Sequence, residues 1–149
     1  MSAGTHHLEV SRLIHAAQDA VFAAWTDPDK IVQWWGAGGV ICTEAAIDLA
    51  VGGRYRFANL TPDGETMWIT GVFTVVDPPS RLEYTWATEP VDAHSDYSKV
   101  VVTFSSERGG TLVTIAHTQI LTHEAREMNH FGWVGCLEGL EALVGARDA

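Results

Sequence analysis

Three residues with polar side-chain atoms fall on apolar rows that strand alternation would turn towards one interior: Tyr84, Trp86 and His117. Leu82, Tyr84 and Trp86 share a parity, as do Val100, Val102 and Phe104, and Val113, Ile115 and His117. An apolar space with one phenol hydroxyl, one indole N–H and one imidazole can hold and orient an apolar small molecule. The imidazole could also act as acid–base, with Tyr84 orienting a substrate. His117 has a plainer fate open to it, as a core histidine satisfied by a backbone carbonyl.

Other reactive residues form no set. His123, Glu127 and His130 are spaced i, i+4, i+7, but His-Glu-Ala-Arg-Glu lacks the second histidine of a zinc-protease helix, so a solvated face is expected and no metal. The chain has no glycine-rich phosphate loop, no Gly-x-Ser-x-Gly elbow and no Cys-x-x-Cys, hence no expected cofactor. Cys42 and Cys136 lie far apart in apolar surroundings and read as buried free thiols, which points to the cytoplasm. Nothing in the sequence pairs the acids Glu44, Asp48 and Asp77.

The element that must cover these rows is the last long apolar segment. Thr122 can cap a helix running to Val144, with Glu124 and Glu127 where the helix dipole favours acid. At 100° per residue Ala125, Met128, Gly132, Gly135, Cys136, Gly139 and Leu143 share an arc, predicted to face the core, with Trp133, Leu137, Leu140 and Val144 on one flank and Phe131 on the other. Each interior glycine costs about 1 kcal/mol relative to alanine. Two reasons could justify that cost: close packing, or open space beside the helix. Met128, Gly132 and Cys136 are accordingly candidate ligand contacts.

Ahead of this helix the chain reads as a strand (Leu8 to Ile14), two short helices split by Asp27-Pro28, and six more strands ending at Thr118. Turns are expected at Gly52-Gly53, Pro62-Asp63-Gly64, Pro78-Pro79 and Arg108-Gly109-Gly110. Glu89 to Tyr97, with Pro90, Asp92, His94 and Asp96, reads as an acidic loop. Trp34-Trp35 precede the hinge Gly36 to Gly39 and could form a movable lip over a pocket mouth. Short connections imply an antiparallel sheet with one face against the terminal helix: an α+β fold, a curved seven-stranded sheet gripping a helix, in one domain over residues 1–149 with its core at about 8–144.

With 149 residues, 46% of them hydrophobic, the chain can bury a substantial core. A net charge of −10 and the absence of any Lys/Arg run argue against nucleic acid or an anionic membrane as partner. No stretch nears 18 consecutive apolar residues, and the N-terminus lacks the pattern of a signal peptide.

Arg12, Val21-Phe22, Trp25-Thr-Asp-Pro28, Trp34-Trp35, Asp48-Leu49, Val51-Gly-Gly-Arg-Tyr55, Gly71, Pro78-Pro79, Arg81-Leu82, Thr111-Leu-Val-Thr114 and Gly132-Trp133 occur in that order. The set resembles the family of stand-alone bacterial domains related to the C-terminal domain of the activator of heat-shock protein 90 ATPase, over about residues 8 to 144. That resemblance implies the START-like, birch-pollen-allergen-like superfamily with its helix-grip fold, whose members bind apolar small molecules between sheet and helix. Three readings stay open: a binding or carrier domain for an apolar small molecule, a cyclase- or hydrolase-type enzyme using the same cavity, and a protein-interaction domain, either a homodimer or a chaperone partner.

Overall fold

The computed structural model describes residues 5–36, 39–89 and 97–145. The acidic segment 90–96 and residues 37 and 38 of the glycine hinge lie outside the described residues. In chain order the elements are β1 (His6–Ile14), α1 (Gln18–Thr26), α2 (Pro28–Trp34), β2 (Ile41–Ile47), β3 (Arg54–Leu60), β4 (Thr66–Asp77), β5 (Arg81–Thr88), β6 (Ser98–Glu107), β7 (Gly110–Ile120) and α3 (His123–Val144). All neighbouring strands are antiparallel, in the order β1-β7-β6-β5-β4-β3-β2. The sheet is open, with β1 and β2 at its edges, and its concave face takes all three helices.

Local chemistry sets the helix starts. Asp27 accepts a hydrogen bond from the Asp29 N–H, and Pro28 fills the first turn of α2, where a missing N–H costs nothing. Thr122 accepts from the Ala125 N–H at the start of α3. In the loop between β3 and β4, Gly64 takes φ +87° and its N–H donates to the Thr61 carbonyl, closing the turn expected at Pro62-Asp63-Gly64.

The alternation along β5, β6 and β7 holds: Leu82, Tyr84 and Trp86, then Val100, Val102 and Phe104, then Val113, Ile115 and His117 are all buried. Near the end of β7 it breaks in an informative way. Pairing runs Leu8 to His117 and then His6 to Ile120, so one residue of β1 spans two of β7, and Gln119 adopts φ +60°. This bulge turns Gln119 outward and returns Ile120 to the interior, where strict alternation would have buried the glutamine.

The helical arc differs from the sequence expectation. The buried residues of α3 are Trp133, Cys136, Leu137 and Leu140, whereas Met128 is 72% exposed and Leu143 also lies outside. The helix is thus rotated about a quarter turn towards the flank that carries its bulkiest side chains, since burying Trp133 and two leucines removes more apolar area from water than burying glycines and Met128.

Both reasons for tolerating glycine are present, at different positions. A Cβ built on Gly139 would stand 2.4 Å from the Trp34 carbonyl oxygen, so α2 and α3 touch backbone to side here. A Cβ on Gly132 would meet nothing within 4 Å. Gly139→Ala should therefore destabilise by about 2 kcal/mol, overpacking outweighing the helix-propensity gain, while Gly132→Ala should stabilise by up to about 1 kcal/mol. Urea unfolding of the two variants checks this, and equal gains would show that α2 does not seat against Gly139.

Candidate functional site: an apolar cavity beside the terminal helix

Between the sheet and the first half of α3 lies a cavity of about 510 Å³. Its aromatic side is formed by Trp35, Trp86 and Trp133, its sheet side by Asn59, Met67, Ile69, Ala87, Thr88 and Ser98, and its helix side by Ala125, Met128, Asn129, Phe131, Gly132 and Cys136. Gly36, Val40, Leu121 and Ile120 complete the described wall, the last through the bulge in β7. Among the described residues no lining side chain carries a formal charge. Met128 and Phe131, 72% and 64% exposed, stand at the rim.

Of the residues singled out from sequence, Trp35, Trp86, Met128, Gly132 and Cys136 meet at this cavity. Trp34, Tyr84, Val102, Ile115 and His117 lie in the packed core beside it. The Trp34 indole donates to the Ala24 carbonyl at 2.9 Å, tying α2 to α1. Trp35 packs on Phe57, Trp86 and Trp133 with ring centroids 5.0, 5.9 and 5.4 Å away. Both tryptophans are buried, so this pair is wall and core and not the movable lip expected of it. The space over Val102 and Ile115 is taken by α1, whose Phe22 and Trp25 meet Phe104 edge to face at 5.3 and 5.7 Å. Burial holds the Tyr84 hydroxyl well above its ordinary pKa, partly offset by a hydrogen bond from Trp25.

His117 has no exposed surface and is satisfied on both sides, though by side chains and not by a backbone carbonyl. The Trp133 indole, which can only donate, reaches Nδ1 at 3.1 Å. Nδ1 is therefore the bare nitrogen and Nε2 carries the proton, which it donates to Ser98 Oγ at 2.7 Å. The Ser98 hydroxyl donates onward to the Trp86 carbonyl at 3.1 Å. This chain fixes two walls of the cavity, Trp86 and Trp133, to each other. Burial pushes the His117 pKa from 6.5 down to about 3, so the imidazole is neutral in the fold.

Cys136 faces the cavity, but burial pushes its thiol up to about 12 and removes the thiolate needed for nucleophilic chemistry. Among the described residues no three His, Cys, Asp or Glu side chains come together as a metal site. His123 and Glu127 are exposed on α3, where Glu127 pairs with Arg126.

Several wall residues escaped the sequence reading, among them Asn59, Met67, Ile69, Ser98 and Asn129. Asn59 is 1% exposed, and its Oδ1 has no hydrogen-bond partner. The signal was available: Tyr55 and Phe57 alternate inward along β3, and continuing by two residues puts an asparagine where an apolar side chain belongs.

Comparison with known proteins agrees with this architecture. No curated protein matches the chain. Among solved structures, a protein of Chromobacterium violaceum superposes with a TM-score of 0.84 at 23% identity, covering 95% of this chain and 98% of that one. The AHSA1-like protein of Aeromonas hydrophila is 31% identical, covering 92% and 90%, with a TM-score of 0.76. The AHSA1 protein of Silicibacter pomeroyi is 26% identical, covering 93% and 96%, with a TM-score of 0.78. The family model described as activator of Hsp90 ATPase homolog 1-like protein matches residues 15–145, from the end of β1 through the whole of α3, and the chain belongs to that family.

Proposed function

We propose that this domain binds or carries an apolar small molecule in the cavity between the sheet and α3. The observation that carries the reading is a space of about 510 Å³ whose described wall has no charged side chain and is built largely from tryptophan, methionine and aliphatic groups. Ligand pockets run from about 300 to 1,000 Å³ and take this form, a mostly apolar lining with few polar atoms. Gly132 fits the same reading, since it lines the cavity and a Cβ there would meet nothing within 4 Å. The free thiols Cys42 and Cys136 suit a reducing compartment such as the cytoplasm.

Catalysis has less behind it. His117, which sequence offered for acid–base work, is sealed off behind Trp86 and Trp133 with both nitrogens engaged, and the Cys136 thiol is held neutral, as its burial led us to expect.

A native mass spectrum of the protein purified from its own host, set beside a denaturing one, tests the reading. Excess mass that disappears on denaturation is expected, and Gly132→Leu, which fills the open side of the helix, should lose it while remaining folded. Bare wild-type protein at monomer mass would remove the carrier reading.

A further inference from the structure

Among the described residues, one fully buried side-chain polar atom of the cavity wall has no partner, and its chemistry limits what the cavity accepts. Asn59 sits on β3 opposite Met67 of β4, with its amide nitrogen 3.4 Å from the carbonyl oxygens of Phe57 and Met67. Turning the amide over would bring its oxygen against those two carbonyls, acceptor against acceptor, so the NH₂ faces them and Oδ1 is left as a bare acceptor. That oxygen is buried and has no hydrogen-bond donor, and it belongs to a residue of a wall in which no described side chain is charged. A buried acceptor left without a donor destabilises the fold, and the ordinary resolution is a partner with a matching hydrogen.

Two of the neighbouring polar groups do not compete for the role. Ser98 is already committed, accepting from His117 and donating to the Trp86 carbonyl. The Cys136 thiol is neutral and sits on the helix side. A carboxylate or phosphate would place an anion against an acceptor with no cation among the described wall residues, in a protein whose net charge is already −10. A quaternary ammonium would need a gap between aromatic faces. Trp35, Trp86 and Trp133 instead touch one another, with centroids 5.0 to 5.9 Å apart.

We infer that the cavity selects an uncharged apolar molecule bearing one hydrogen-bond donor, a hydroxyl or N–H, which it presents to Asn59 Oδ1. The inference rests on the cavity reading above and adds the polar end of the ligand. Asn59 is a binding residue in this scheme: the apolar walls supply affinity, and the orphan acceptor supplies discrimination, because a site built around a hydrogen bond rejects an analogue that lacks it.

Isothermal titration of the full chain with 4-pentylphenol, 4-pentylanisole and 4-pentylbenzoate separates the terms, since the three share one apolar body and differ in polar end. The phenol should bind about tenfold or more tighter than its methyl ether, and the benzoate more weakly than either. In Asn59→Leu, which keeps the side-chain shape without the acceptor, the phenol and the ether should bind within about twofold of each other, the ether no worse than to wild type. The melting temperature of that variant should be no lower than that of wild type, whereas a merely structural asparagine would lower it. Equal binding of phenol and ether to the wild type, as an ordered water retained on Asn59 would produce, overturns the inference and leaves the cavity reading standing. Benzoate binding tightest overturns it as well. No binding of any of the three removes the cavity reading and this inference together. The wild-type comparison needs no variant to fold.

Discussion

Acidification from pH 7 to pH 3 should cost the fold on the order of 4 kcal/mol through His117 alone, about 2 kcal/mol of it by pH 5. The side chain is buried and neutral, with its folded pKa near 3 and an ordinary value of 6.5. As pH falls below 6.5 the unfolded chain takes up a proton that the folded protein does not, so the unfolded state is favoured progressively until the folded pKa is reached. The stabilisation is fully present above about pH 6.5 and gone below about pH 3. Above about pH 5 carboxylates contribute little, which makes pH 7 to 5 the window to measure. His117→Leu should be less stable than wild type at pH 7 by about 2 kcal/mol, because the Trp133 N–H loses its acceptor, yet its urea midpoint should barely change down to pH 5. A wild-type midpoint equally flat over that window would mean that the imidazole becomes protonated in the folded protein.

Truncation of Trp133 should be the most damaging single change at the site. Trp133 is the largest of the fully buried side chains and belongs at once to the core and to the cavity wall. Its ring lies 5.0 Å from Trp86, 5.4 Å from Trp35 and 6.2 Å from Trp25, and its N–H sets the tautomer of His117. Trp133→Ala combines a large void with an unpaired imidazole nitrogen, for a loss of about 3 to 5 kcal/mol in urea unfolding. Because the void joins an existing cavity, added indole should restore part of that loss in Trp133→Ala and stabilise wild type much less. Absence of rescue would show that the neighbouring rings close over the gap.

The strand rows were legible because alternation is a local property: Leu82, Tyr84 and Trp86 need only their own pleat to share a face. So was the order of elements, which short turns and proline punctuation impose. The orientation of α3 was not. Its arc of glycines and its flank of Trp133, Leu137 and Leu140 are both apolar, and which one is buried depends on what the sheet offers, a non-local matter. The division between core and cavity was hidden for the same reason: Tyr84, Val102 and Ile115 lie on inward rows like Trp86, but α1 covers them and leaves the far end open. Asn59 was readable and passed over, as a polar residue inside an inward parity. The β7 bulge was invisible, since nothing in Thr118-Gln119-Ile120 announces a left-handed glutamine.

The tryptophans carry a photophysical consequence. Trp25, Trp34, Trp35, Trp86 and Trp133 form a connected set with neighbouring centroids 5.0 to 6.5 Å apart, and the sixth, Trp68, lies apart under the Arg56 guanidinium. At such spacing an excited indole passes its energy to the next before it emits. Light absorbed anywhere in the five is therefore shared with Trp35, Trp86 and Trp133, the three in the cavity wall. An occupant touching any of these rings alters the emission of the whole set, and the protein reports the filling of its own cavity with no dye attached.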